Sequence, residues 1–151
     1  MKRFLAIILA TLTLAALLAG CTQHQALDAF NTGIEFVGNA PLMFARRLVG
    51  TRVYGQDCYT GNYRGDYEDF TGLECLFGGT SLKMHDDVLV TCTITAGSGS
   101  AELQFSSLDD DPVVLCEAGG SCETAVQLPA GSNYLNLITD SFTGSIELTV
   151  E

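Results

Sequence analysis

From Thr51 onward, apolar and polar side chains alternate in short runs, a period of two that suits a half-buried β-strand. Val88, Val90, Cys92 and Ile94 alternate with Leu89, Thr91, Thr93 and Thr95, which gives one apolar face and one rich in threonine. Ala101, Leu103 and Phe105 alternate with Glu102, Gln104 and Ser106. Further runs cover Val113 to Cys116, Cys122 to Leu128, Tyr134 to Thr139 and Ser145 to Val150, the last with Ile146, Leu148 and Val150 inward. Turn-forming clusters separate them, among them Gly97-Ser98-Gly99-Ser100, Gly119-Gly120 and Pro129-Ala130-Gly131-Ser132-Asn133. Short strands at this spacing predict an all-β fold, an antiparallel β-sandwich of about seven to nine strands. No long helical stretch interrupts them, which excludes βαβ units.

The β region contains one internal echo. Glu68-Asp69-Phe70-Thr71-Gly72 is similar to Asp140-Ser141-Phe142-Thr143-Gly144, and an apolar–polar strand follows each. The pattern reads as a recurring turn chemistry, with glycine at the bend and phenylalanine plugging the core, rather than as a duplication.

The N-terminus has a different character. Met1-Lys2-Arg3 is a short basic start, Phe4 to Leu18 is apolar apart from Thr11 and Thr13, and Leu18-Ala19-Gly20-Cys21 follows. A basic n-region, an apolar h-region and a small-residue cleavage site make a secretory signal over 1–20. The stretch is short for a membrane span. Leu18-Ala19-Gly20-Cys21 resembles the lipobox of bacterial lipoproteins at all four positions. The resemblance implies a diacylglyceryl group on Cys21, cleavage before it, and a bacterial cell-envelope location on the exported side of a membrane. Two acyl chains suffice for stable anchoring. Between the lipid and the β region, residues 21–50 read as a tether. Leu27, Phe30, Ile34 and Val37 mark one helical stripe, and a second short helix is expected from Asn39 to Gly50. The domain plan is therefore signal 1–20, tether 21–50 and β-sandwich 51–151.

Charge narrows the partners. Without residues 1–20, Arg46, Arg47, Arg52, Arg64 and Lys83 face 18 acidic side chains, a net −13. Such a surface repels phosphate backbones, so nucleic acid is not an expected partner. It is also pushed from anionic headgroups, and the membrane is expected to be held through the lipid alone. With Cys21 acylated, five cysteines remain, an odd number. The best pair is Cys116 with Cys122, facing each other across a hairpin turned at Gly119-Gly120. The alternative is two small buried thiols.

Catalytic signatures are missing. The chain has no G-x-S-x-G elbow, no phosphate-binding P-loop and no H-E-x-x-H. His85, beside Asp86 and Asp87, is the one histidine of the β region, and no nucleophile is placed next to it in sequence. No cofactor is expected. Asp109-Asp110-Asp111 is a conceivable calcium loop, but consecutive carboxylates lack the spaced ligands of a known type. Tyr59, Tyr63 and Tyr67 share one side of an expected strand, with Gly61 and Gly65 between them. They are the ligand-binding candidates, because open ring faces stack on sugars or grip a partner. The opposite side (Cys58, Thr60, Asn62, Arg64, Asp66) is polar, so the tyrosines read first as a buried face.

Leu128-Pro129-Ala130-Gly131-Ser132-Asn133-Tyr134-Leu135, followed by Phe142-Thr143-Gly144 and the closing strand, resembles the end of bacterial surface β-sandwiches of jelly-roll and immunoglobulin-like type. The resulting expectation is an envelope lipoprotein carrying a non-catalytic module that binds glycan or another envelope protein. The alternatives are a structural or assembly component with no soluble ligand, and a hydrolase of unrecognised type. A pocket with carboxylates around His85 would favour the last.

The lipobox generates a direct expectation. In bacteria fed a clickable fatty acid, the full chain is labelled and the Cys21→Ser chain is not; equal labelling of both would remove the lipid from the picture.

Overall fold

The computed structural model describes residues 48–82, 84–107 and 110–151. Cys21, the signal segment and the tether helices lie outside the described residues, apart from Leu48–Gly50.

The described residues contain six strands and no helix. They are β1 (Thr51–Tyr54), β2 (Gly61–Ser81), β3 (Val88–Ser107), β4 (Val113–Glu117), β5 (Ser121–Val126) and β6 (Gly131–Val150). All pairings are antiparallel, in one sheet of order β1-β2-β6-β3-β4, with β5 also on β3. The all-β, antiparallel expectation holds. The expected seven to nine short strands do not, because β2, β3 and β6 run for 21, 20 and 20 residues. Gly97-Ser98-Gly99-Ser100 is a bend inside β3 rather than a turn between strands, and β6 likewise joins two of the expected ones.

A straight strand of 20 residues would extend about 65 Å. These three are bent at the same level. Register shifts fall between Tyr67 and Gly72 of β2 and between Ala96 and Ser100 of β3, where both pair with β6 around Asp140–Gly144. The buried positions change parity there. Tyr63 and Tyr67 give way to Glu74 and Leu76 in β2, Cys92 and Ile94 to Ala101 and Leu103 in β3, and Leu137 and Thr139 to Phe142 and Ile146 in β6. An unpaired residue at each bulge lets the strand turn and still present the same face to the core.

The echoed pentapeptides are two facing bends. Phe70 pairs with Phe142 in register, and Asp69 and Ser141 both have left-handed φ, 45° and 46°. The support is reciprocal: Asp69 N–H donates to Thr143 Oγ1 at 3.0 Å, and Ser141 N–H donates to Thr71 Oγ1 at 2.8 Å. Left-handed backbone disfavours side-chain-bearing residues by about 1–2 kcal/mol, and these bonds offset part of that. Phe142 is fully buried and Tyr67 packs on both phenylalanines, with ring centroids 5.6 Å apart in each case.

Bending brings the two halves of β2 together. Tyr63 and Glu74 would lie about 36 Å apart along an extended strand, yet Tyr63 Oη is 3.3 Å from Glu74 Oε2. Arg52 of β1 reaches across the same fold to donate to the carbonyls of Cys75 and Leu76, at 3.2 and 2.8 Å. Apolar residues from both halves form one core cluster, with Tyr63, Phe77, Leu103, Leu137, Phe142 and Ile146 among its most buried members.

The expected hairpin at Gly119-Gly120 is also corrected. β4 and β5 pair with β3 and not with each other, so 113–126 acts as one edge strand that turns a corner over the bend of β3. Ala118 and Gly119 are neighbours in the chain, yet their N–H groups bond to the carbonyls of Ala101 and Ile94, both at 2.8 Å.

Two glycines separate crowding from backbone strain at these bends. Both have positive φ, 73° at Gly99 and 83° at Gly119. A Cβ at Gly99 would collide with the Ser141 carbonyl, whereas one at Gly119 meets nothing within 4 Å. Gly119→Ala is expected to cost about 1–2 kcal/mol, and Gly99→Ala about 2–4 kcal/mol, in urea unfolding. Equal losses would mean that the bends are not tightly packed.

Candidate functional site

A groove of about 500 Å³ opens beside the ends of β2, β3 and β6, between the segment 55–60 and the segment 85–87. Asp57 builds the first wall. Its Oδ1 accepts from Tyr59 N–H and Thr60 N–H at 2.9 Å and from Thr60 Oγ1 at 3.0 Å, an Asx-type turn. Gly55 N–H donates to the Thr60 carbonyl at 2.8 Å and closes the loop. The second wall is fixed by His85 N–H, which donates to the Leu128 carbonyl at 3.0 Å.

Between the walls, Val88, Leu128 and Val150 supply apolar surface, while Gln56, Thr60, Asn62 and Thr149 supply amide and hydroxyl groups. Thr149 Oγ1 donates to Asn62 Oδ1 at 2.9 Å, which orients the Asn62 amide. Asp57, Asp86, Asp87 and Glu151 line the groove, and among the described residues no lysine or arginine does, so the potential these side chains set is negative. His85 stands among these carboxylates, its ring against Tyr59 with centroids 4.6 Å apart. Its Nε2 is buried and without a hydrogen-bond partner among the described residues, so no hydroxyl or thiol is poised on that nitrogen as a triad requires.

The sequence-derived candidates sit elsewhere. Tyr63 and Tyr67 lie on the buried face of β2, and Tyr59 falls in the loop before it; all three are buried, at 2%, 4% and 4% exposure. A stacking platform is therefore corrected to a core face, since no ring is open to a sugar or a partner. The hydroxyls instead form a buried polar network. Tyr67 Oη donates to Glu74 Oε2 at 2.6 Å and lies 2.6 Å from Tyr63 Oη. Gly50 N–H donates to Tyr63 Oη at 2.9 Å, and Val49 N–H donates to Glu74 Oε1 at 2.6 Å. Burial pushes the Tyr63 hydroxyl above its ordinary value; burial and then the bond to Glu74 push Tyr67 higher still. Both therefore remain protonated donors at neutral pH.

Cys116 and Cys122 are free thiols, so the expected disulfide is not formed in the structure. The hairpin that would have aligned the pair does not exist. Asp109 of the calcium candidate lies outside the described residues. Among the described residues no group of three His, Cys, Asp or Glu side chains is placed to hold a metal ion.

Sequence reasoning missed the groove, whose walls come from loops about 30 residues apart, and it missed Glu74. The available signal for Glu74 was a lone carboxylate flanked by Leu73, Cys75, Leu76 and Phe77.

No protein-family model and no curated protein matches the chain. Among solved structures, it is similar to an exo-β-1,3-galactanase from Phanerochaete chrysosporium, seen with galactose and, as an E208A variant, with β-1,3-galactotriose. Both show 11% identity over 68% of this chain, with TM-score 0.29. The chain spans only 30% and 26% of those two chains. It is also similar to the Eiger TNF of S. frugiperda, with 13% identity, 69% and 92% coverage and TM-score 0.29. The galactanase matches overturn the expectation that the domain is not an enzyme, and that reading is withdrawn. At this TM-score they assign no reaction to the chain.

The buried network defines what a tyrosine does here. Tyr63→Ala is expected to lower stability by about 3–5 kcal/mol in a urea melt, the cost of truncating a large buried aromatic. A loss within about 0.5 kcal/mol, as at ordinary surface positions, would return Tyr63 to the ligand-binding candidates.

Proposed function

We propose that the protein is a lipid-anchored binding module of the bacterial cell envelope, with a glycan as its ligand. The doubled-over sheet serves in this reading as a two-layer β-sandwich. Support for the anchor is Leu18-Ala19-Gly20-Cys21 in the sequence. The reading of the ligand rests on the groove. Its volume, about 500 Å³, falls in the range of small-molecule sites, and its polar lining is made of the amide, hydroxyl and carboxylate groups that pair with sugar hydroxyls.

The sign of the charge selects the glycan. Four carboxylates, with no lining cation among the described residues, oppose uronates, phosphorylated sugars and sulfated sugars. A neutral sugar meets no such penalty, and its hydroxyls donate to carboxylate oxygens in charge-assisted bonds.

On an array of neutral and anionic glycans, the parent protein is expected to be retained on neutral members only. Asn62→Ala and Thr149→Ala remove the oriented amide–hydroxyl pair and are expected to weaken retention at least tenfold, about 1.4 kcal/mol. Urea midpoints unchanged from the parent would show that the fold is intact. Retention on anionic glycans, on none, or on the same ones by both variants would defeat the proposal.

A further inference from the structure

Three cysteines converge where the edge strand turns its corner. Cys92 of β3 stands in direct register with Cys122 of β5. The corner at 118–120 carries the chain over the bend of β3, so that Cys116 of β4, paired with Leu103, returns against both. Cys116 Sγ lies 3.9 Å from the Cys92 carbonyl oxygen, and the Cys116 thiol interacts with those of Cys92 and Cys122. Cys92 and Cys116 are buried at 1% and 5% exposure, while Cys122 is half-buried. Cys58 and Cys75 lie apart from this group, close to Tyr54.

We propose that Cys92, Cys116 and Cys122 form a single oxidisable centre in which Cys116 bonds to either neighbour and the third thiol serves as an internal exchanger. The oxidant it takes is a disulfide, small or carried by a thiol oxidoreductase.

Cys122, the most accessible of the three, meets that oxidant first. Its thiolate attacks one sulfur of the disulfide, and the other sulfur leaves as a thiolate that takes up a proton. Cys116 then attacks the Cys122 sulfur of the mixed disulfide, which expels the second oxidant thiol and forms Cys116–Cys122. Attack by Cys92 on the Cys116 sulfur moves the bond inward and restores Cys122 as a thiol. Two protein thiols and one disulfide give one protein disulfide and two small thiols, so protons and electrons balance. Sharing follows from the arrangement, because the Cys116 thiol interacts with both others. Burial pushes the Cys122 thiol up to about 11, so the first attack is slow at neutral pH and the centre responds to strong or abundant disulfide oxidants.

The full chain is incubated with oxidised glutathione, alkylated and digested without reduction, and its peptides are identified by mass. The parent is expected to lose two of the three thiols, with Cys116 in every bond formed within the trio. Cys122→Ser is expected to yield Cys92–Cys116 and Cys92→Ser to yield Cys116–Cys122. Cys116→Ser and Cys116→Ala are expected to yield neither bond, leaving a glutathione adduct at Cys122. A Cys92–Cys122 bond in either Cys116 variant, or an oxidised trio in the parent with Cys116 still alkylated, would overturn the proposal. The parent arm decides the outcome even where a variant fails to fold.

Discussion

Everything in this fold depends on three long strands bending at one level. A sheet with one apolar face must cover that face with something, and here it is covered by the far half of the same sheet. The bends at Asp69–Gly72, Ala96–Ser100 and Ser141–Thr143 lie side by side and brace each other, since the left-handed residues Asp69 of β2 and Ser141 of β6 are each held by a threonine hydroxyl from the other's bend. A bend in one strand alone would break its pairing with its neighbours. Three in line preserve the ladder on both sides, and register resumes across β2, β6 and β3 beyond them.

Doubling the sheet over also creates its main polar problem. Glu74 is carried into the interior at 6% exposure, where an unpartnered carboxyl group would cost several kcal/mol. Two tyrosine hydroxyls and the Val49 N–H converge on it, and each comes from a different level of the fold. A satisfied buried network of this kind favours one arrangement over its near neighbours, because any slip of register leaves a donor or acceptor stranded. The same doubling leaves the loops at 55–60 and 85–87 at one end, and there the groove is found.

How much of this was legible in the sequence can be stated residue by residue. The strand character after Thr51 was visible in the alternation, and the two echoed pentapeptides were visible as shared bend chemistry. What escaped was that a bend does not end a strand. Gly97-Ser98-Gly99-Ser100 has the composition of a loop, and only a change of parity, from Val88–Ile94 on even numbers to Ala101–Leu103 on odd, marks a bulged continuous strand. The same oversight turned Gly119-Gly120 into a hairpin, although pairing of both flanks to β3 is a tertiary fact that local turn chemistry does not carry. Tyr63 and Tyr67 do share one side of β2, while Tyr59 falls in the loop before it; Glu74 makes that side internal, and its contact with Tyr63 depends on the fold of β2. The groove was illegible because its walls meet only in three dimensions.

The polar network has a mechanical consequence. Among the described residues, a pull applied at Leu48–Gly50 acts just ahead of β1. There the load falls first on the Val49 and Gly50 amides, each bonded to a side chain rooted in the core. Behind them stands β1, only four residues long but pinned across the fold by Arg52. A pull is thus delivered to the interior of the doubled sheet and shared between its two halves before the outermost strand can peel.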